Sequence, residues 1–176
     1  MKVDVIEAGE DLKAVVLNLG RYYIYDFSEF CGFRCPDDGL FQTSQWEKYW
    51  TEPDRWPFLV RVDGELAGFV FVGPDGTQPQ SQYDFGEFFI MRKFRRRGVG
   101  QRVAFELFDR FRGPWEVRVL VQNAPAQAFW RTVVGRYTGG HYHELPEPVP
   151  CGKWLDIVLT FDNTEPVARR SGARVR

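Results

Sequence analysis

The sequence predicts an α/β domain built around one mixed β-sheet. Three observations carry that expectation. Runs rich in branched and aromatic residues alternate with runs of helical periodicity, in the order strand, two helices, three strands, helix, strand, helix, strand. Two of the strand runs, Phe58 to Val62 and Leu66 to Val72, flank Asp63-Gly64, a strong two-residue hairpin signal. Finally, Tyr83 to Gln101, YDFGEFFIMRKFRRRGVGQ, reads as a strand entering a glycine-bearing basic loop that opens a helix. A length of 176 residues suits one domain, expected over residues 1–162 with a basic, disordered tail at 163–176.

Taken in order, Lys2 to Glu7 is the opening strand. Glu10 to Phe27 is a helix, weakened in its middle by Gly20, and Ser28 to Leu40 is a loop carrying Gly32, Pro36 and Gly39. Thr43 is the expected N-cap of a short helix with Trp46, Tyr49 and Trp50 on one side. After the hairpin, Gly73 to Gln82 is a polar loop. Asp84 to Met91 is the strand before the basic loop, and Val99, Val103, Leu107, Phe108 and Phe111 give the following helix its apolar face, which ends before Gly113-Pro114. Trp115 to Val121 alternates as a strand, and Ala124 to Val134 is a helix with Pro125 in its tolerant first turn. Gly135 to Pro150 is irregular with a short strand near Tyr142 to Leu145, and Trp154 to Phe161 is the last strand.

The basic loop is where chemistry concentrates. A helix start presents unpaired N–H groups and the positive end of the helix dipole. Gly98 and Gly100 allow close approach to the backbone, and Arg92, Lys93, Arg95, Arg96 and Arg97 add positive charge. The combination reads as a site for a phosphorylated or pyrophosphorylated ligand. It is not a P-loop, because Gly100 is followed by Gln101 and Arg102 rather than Lys and Ser or Thr. Nor is it a dinucleotide fingerprint, because Val103 stands where the third glycine belongs.

Arg95-Arg96-Arg97-Gly98-Val99-Gly100 resembles the Arg/Gln-x-x-Gly-x-Gly/Ala loop of the GNAT family of N-acetyltransferases. Ile90 and Phe94 stand where that family has an apolar and an aromatic residue. Downstream, Asn123-Ala124-Pro125-Ala126-Gln127-Ala128-Phe129-Trp130 resembles the family's Asn-x-x-Ala-x-x-Phe/Leu-Tyr segment. The resemblance is strong over residues 83 to 137, and the run FWRTVVGRYTGG resembles a subgroup of predicted acetyltransferases. It implies a mixed, mostly antiparallel sheet with helices on both faces, whose central strands part to form a cleft for acetyl-coenzyme A. It implies transfer of an acetyl group to a small-molecule or peptide primary amine by a monomer or homodimer. The pantetheine arm would meet Phe89, Ile90 and Met91, with main-chain groups offered by the last two, and also Asn123, Phe129 and Trp130. The pyrophosphate would meet the N–H groups of Arg95, Arg96, Arg97, Gly98, Val99, Gly100 and Gln101, and the 3′-phosphate Arg92, Lys93, Arg96 or Arg102. The alternative within the family is a catalytically inactive coenzyme A sensor.

Amine acetylation needs a proton acceptor for the attacking amine. Glu87 and Asp84 precede Gly98 by eleven and fourteen residues, spacings that suit a base in this family. Glu87 shares strand parity with Phe85, Phe89 and Met91, which would raise its proton affinity. Trp130 stands where most family members carry a tyrosine proposed to protonate the leaving thiolate, and an indole N–H is no acid near neutral pH. Tyr137, then Tyr142, is the substitute; the other reading of Trp130 is a packed wall. Asn123 either touches the cofactor arm or only caps its helix. His141 and His143 form a solvent-facing pair or a second relay. The aromatic stretch from Tyr22 to Trp50 supplies packing and part of the acceptor pocket, where Asp26, Glu29, Asp37 or Asp38 would hold an ammonium.

Composition sets the limits. The chain is 44% hydrophobic and 27% charged, with a formal net charge of −1. Taking away the four arginines after Val167 leaves −5, a mildly acidic body that argues against nucleic acid. No run is long and apolar enough to span a membrane, and the first residues lack a signal-peptide core. Cys31, Cys35 and Cys151 make neither a disulfide framework nor a zinc set, and are expected as reduced thiols in a cytoplasmic protein with no bound metal.

Overall fold

A computed structural model describes residues 1–165. The strands are β1 (Val3–Glu7), β2 (Trp56–Val62), β3 (Glu65–Gly73), β4 (Tyr83–Ile90), β5 (Pro114–Leu120), β6 (His143–Glu144), β7 (Val149–Cys151) and β8 (Trp154–Asp162). The helices are α1 (Glu10–Cys31), α2 (Lys48–Thr51), α3 (Val99–Arg110) and α4 (Ala124–Thr138), with a 3₁₀ turn at Ser44–Trp46 and another at Arg92–Phe94. One sheet runs β1-β2-β3-β4-β5-β8-β6, with β7 also on β8. Every pairing is antiparallel except β4 with β5.

Both faces of the sheet are covered, so its central strands are apolar without alternation. In β3, Val70 and Val72 enter the core under α3 and α4, while Phe69 and Phe71 enter the core under α1 and the 3₁₀ turn. Asp63 and Gly64 both adopt positive φ in the expected hairpin. No described helix is long and apolar enough to cross a membrane.

The helices run longer than the sequence pattern suggested. Ser28 does not end α1: its hydroxyl folds back onto the Tyr25 carbonyl at 2.6 Å, and Gly32, at φ 62°, is the stop. Thr138 does the same on the Val134 carbonyl, and α4 ends at Gly139. Thr43 makes no side-chain cap. Gly20 is a contact surface in α1: a Cβ there would lie 2.2 Å from Cζ3 of Trp46. Asn163, expected in the tail, is fully buried and donates to the Phe108 carbonyl at 2.6 Å, so the packed domain reaches past Asp162; the arginines after Val167 lie outside the described residues.

A bulge in β4 decides how the central strand is used. Phe71 of β3 pairs with Glu87 and the next residue, Val72, with Phe85, so Gly86 is the extra residue. It breaks the expected parity. Phe85 lies in the α3–α4 core, whereas Phe89 lies in the α1–α2 core. A Cβ at Gly86 would sit 1.9 Å from the Tyr49 hydroxyl, which is held by stacking on Phe71 at 4.2 Å. Gly86→Ala is therefore expected to cost about 1–3 kcal/mol of stability by overpacking, and Tyr49→Phe in the same chain to recover part of that loss. Chemical denaturation of the two single variants and the double checks it.

Candidate active site

β4 and β5 pair through only two residues each, Tyr83 with Trp115 and Asp84 with Glu116, and then separate. The remaining length of β4 is not paired with β5. Glu87 stands there on the α1 side, partly exposed. Trp46 Nε1 donates to its Oε1 at 3.0 Å, and the Tyr23 hydroxyl also hydrogen-bonds it. Burial pushes the carboxyl up to about 7, against the pull of those two donors and of the Arg118 charge, while Asp84 adds a smaller upward push. Burial likewise holds the Tyr23 and Tyr49 hydroxyls well above ordinary phenols, so both keep their protons. Glu87 is thus a carboxylate poised to gain and lose a proton near neutrality.

Asp84 is a different kind of group. It is fully buried, accepts from Arg118 Nη2 at 2.6 Å and from the Asp75 N–H at 3.2 Å, and its pKa is raised chiefly by burial. Its partner in register, Glu116, is also fully buried. Glu116 accepts from the Thr77 and Gln78 amides and from the Thr77 and Ser81 hydroxyls at 2.8–2.9 Å, pinning the loop before β4. Asp84 therefore joins strands and has no open side for a substrate.

At the far end of β4, Arg95 to Gly98 is exposed, Arg96 and Gly98 take positive φ (60° and 78°), and Val99, Gly100 and Gln101 form the first turn of α3. No side chain caps that turn, so its N–H groups face outward. A Cβ at Gly98 would meet nothing within 4 Å, whereas one at Gly100 would lie 3.0 Å from Phe129 Cζ. Gly98 leaves an open cradle; Gly100 makes room for α4. Val99 is buried in the core, and Gln101 accepts from Arg136 at 2.8 Å, tying α3 to α4. Arg96 and Arg97 make no side-chain ion pair among the described residues. Arg92 and Arg95 both bind Asp26 of α1, Arg92 at 2.8 Å, and Lys93 binds Glu65. Asp26 thus holds the basic loop, where the sequence suggested an ammonium, and Asp37 pairs with Arg34.

Two further expectations change. Met91 donates its N–H to Ala67 and accepts from Phe94 through its carbonyl, so it has no idle amide for a ligand; the Ile90 carbonyl accepts from Arg95 Nε at 2.6 Å. Phe89 is buried, its carbonyl pressed onto Gly68, where a Cβ would lie 2.0 Å from the oxygen. Tyr137 is the second correction. It lies two turns beyond Trp130, about 10 Å along α4, donates to Asp109 at 2.9 Å and accepts from Asn163. It belongs to the far end of α3, and the structure does not bring it to Glu87. Trp130 is buried between Phe85 and Phe88, as a wall would be. Asn123 caps α4 by accepting from the Ala126 N–H at 3.1 Å.

His141 and His143 are exposed and line a cavity of about 590 Å³ with Trp115 and Asp162, at the end of the sheet where β4 and β5 are joined. A smaller cavity of about 340 Å³ lies between Tyr22, Tyr25 and Asp26 of α1 and Phe89, Met91 and Arg92. Tyr23 and Trp46 belong to the aromatic stretch expected to pack and to line the acceptor pocket, but no sequence pattern tied them to Glu87, and Arg118 was not singled out at all. A tyrosine at helical spacing, a tryptophan after a loop and an arginine in an alternating strand carry no signal of a shared carboxylate about 30 or more residues away.

The comparisons with known proteins agree with this fold. The sequence pattern described as the acetyltransferase (GNAT) family matches residues 22–135. Among solved structures, an acetyltransferase from Thermus thermophilus is similar with a TM-score of 0.64 at 15% identity, over 92% of this chain and 97% of that one. The ribosomal-protein-S18-alanine N-acetyltransferase from Escherichia coli gives 0.60 at 11%, over 99% of each chain. Spermidine N-acetyltransferase from Vibrio cholerae, in complex with CoA and spermine, gives 0.59 at 12%, over 90% and 93%. No curated protein sequence matches significantly.

The raised Glu87 pKa has a consequence for stability. A carboxyl that binds its proton more tightly when folded supports the fold fully below its unfolded value near 4.5, and that support is lost as pH rises through about 7. Glu87→Gln, which imitates the protonated form, should leave stability nearly unchanged at about pH 4.5 and increase it at about pH 8 by up to about 3 kcal/mol. Denaturant titrations of wild type and variant at the two pH values test this; an equal difference at both would disprove it.

Proposed function

This chain belongs to the acetyltransferase (GNAT) family and is an enzyme of the N-acetyltransferase class; on that premise we propose that its donor is acetyl-coenzyme A and its acceptor a primary amine of a small molecule or peptide. The observation that carries the proposal is the placement of Glu87. A carboxylate poised near neutral pH, steadied by Tyr23 and Trp46, stands on the unpaired stretch of β4 that leads to the open helix start at Gly98.

The chain's groups fit this donor. The N–H groups opening α3, with Gly98 leaving room above them, would receive the pyrophosphate, and Arg96 and Arg97 can swing toward phosphates because neither is held in an ion pair among the described residues. When bound, acetyl-coenzyme A supplies an acetyl thioester. The amine nitrogen forms the new bond to the acetyl carbon, the carbon–sulfur bond breaks with its electron pair going to sulfur, and the proton shed by nitrogen goes to Glu87. Burial matters here because a carboxylate with a pKa near the working pH is ionised often enough to accept the proton and basic enough to want it. Trp46 and Tyr23, donating to Glu87, hold its orientation toward the cleft. Trp130 forms a wall and donates no proton, which a thiol leaving group with a pKa near ~8.5 tolerates.

Two outcomes are expected. Acetyl-coenzyme A at about a hundred times its Kd should stabilise the protein by about 2.7 kcal/mol, and Gly98→Glu should abolish that shift by filling the cradle with bulk and negative charge. No thermal shift at millimolar donor would overturn the reading. With an accepted amine from a screen of amino acids, polyamines, aminoglycosides and peptide N-termini, read by thiol release, Glu87→Gln should lower kcat by roughly 10²–10⁴ while donor KM stays within a few-fold.

A further inference from the structure

Beyond the Asp84–Glu116 pair β4 and β5 have no backbone pairing, and a side chain crosses between them. Arg118 stands two residues past that pair on β5, on the opposite face from Val117 and Val119, which lie in the α3–α4 core. Its Nη2 reaches back to Asp84 on β4 at 2.6 Å, and its Nε lies 3.6 Å from Glu116. Both carboxylates are fully buried and the Arg118 side chain is only 20% exposed, so the charge is held in place and poorly screened.

Glu87 lies on the same face, three residues along β4. The titratable and charged groups around it come from every neighbouring element: Tyr23 of α1, Tyr49 of α2, Asp84 on its own strand and Arg118 of β5. Asp75 and Arg55 stand behind Tyr49, and Asp156 behind Tyr23. The two tyrosines stay neutral, so the nearest full charges acting on Glu87 are Arg118 and Asp84, with opposite signs, and the Arg118 effect is the larger.

We propose that Arg118 is a positioning residue for the transfer site: anchored on Asp84 across the gap between β4 and β5, its guanidinium makes Glu87 hold the substrate proton less tightly. The inference rests on Glu87 serving as the base. Asp84 tempers the effect, because the ion pair presents Glu87 with a dipole, positive end dominant, in place of a bare charge. The carboxylate that sequence spacing offers as a second base is then the anchor of the residue that tunes the first.

The test follows the Glu87 midpoint by carboxyl ¹³C NMR on glutamate-labelled protein without ligands, the signal being assigned by its loss in Glu87→Gln. Asp84→Asn removes the negative charge and keeps a hydrogen-bonding side chain for Arg118; the midpoint should fall. Adding Arg118→Gln to Asp84→Asn should raise it again, by about half a pH unit or more. The double variant is used because Arg118→Gln alone strands a buried Asp84, which would take up a proton and mask the change. Where Asp84→Asn/Arg118→Gln does not fold, Asp84→Asn/Arg118→Met replaces it; Asp84→Asn/Arg118→Lys should stay with Asp84→Asn. The acid limb of kcat/KM for an accepted amine should move in the same order. Identical midpoints with and without Arg118 would overturn the inference even in an active enzyme. Ordered midpoints in a protein that acetylates no amine would leave Arg118 acting on Glu87 and remove the base role instead.

Discussion

The site depends on where β4 and β5 stop pairing. Two parallel strands held through so few residues must part unless something closes the gap, and here the last joined position is occupied by two fully buried carboxylates. Burying two like charges side by side is costly without compensation. The compensation is built from both directions. Glu116 takes four hydrogen bonds from the loop before β4, and Asp84 takes Arg118 and an amide. The polar groups that make the junction tolerable are therefore the ones that order the loop and bridge the arms. Opening the sheet and fixing the loop are one constraint.

A second constraint, the bulge at Gly86, turns that junction into a site. Without the extra residue, Glu87 and Phe85 would share a face, as simple alternation suggests, and the carboxylate would point into the α3–α4 core among Trp115, Phe108 and Trp130. The bulge sends Phe85 there and turns Glu87 toward α1. It requires a glycine because the Tyr49 hydroxyl occupies the space a side chain would need. Gly20 does the matching job on α1: it lets the Trp46 ring lie against the helix, and the indole N–H then reaches Glu87. Two glycines that look like weaknesses in a strand and a helix are the clearances through which one carboxylate is oriented.

This explains what was legible in the sequence. Strand runs, the Asp63-Gly64 hairpin and the helix after Gly98 were readable because they depend on local periodicity and turn chemistry. The basic, glycine-bearing loop was readable for the same reason: backbone N–H groups, glycines and arginines lie in one contiguous run. Helix ends were missed where serine and threonine bonded back into the helix at Ser28 and Thr138. The surroundings of Glu87 were half legible. Glu87 could be named from its spacing to the loop, but its neighbours come from α1, the 3₁₀ turn and β5, and its orientation comes from a bulge that alternation hides. Tyr137 illustrates the opposite error: proximity in sequence to Trp130 made it attractive, yet two helical turns carry it to Asp109 and Asn163.

The basic loop shows how far charge counting can mislead. Five cations precede Gly98, and all looked available to phosphates. Three of them are occupied: Arg92 and Arg95 on Asp26, and Lys93 on Glu65. These exposed pairs contribute little to stability individually, but they fix direction. Asp26 lies one turn beyond Tyr23 on α1, so the helix that steadies Glu87 through a phenol also restrains the start of the loop through a carboxylate. Arg95 is further fixed by its bond to the Ile90 carbonyl, at the end of the strand that carries Glu87. What remains for an anion is narrower than the sequence implied and better defined: Arg96 and Arg97, outside those ion pairs, and a helix start whose N–H groups face open space above Gly98. Two cations stay outside ion pairs, while the others tie the loop to α1 and β3, so the open helix start and the surroundings of Glu87 are linked through α1.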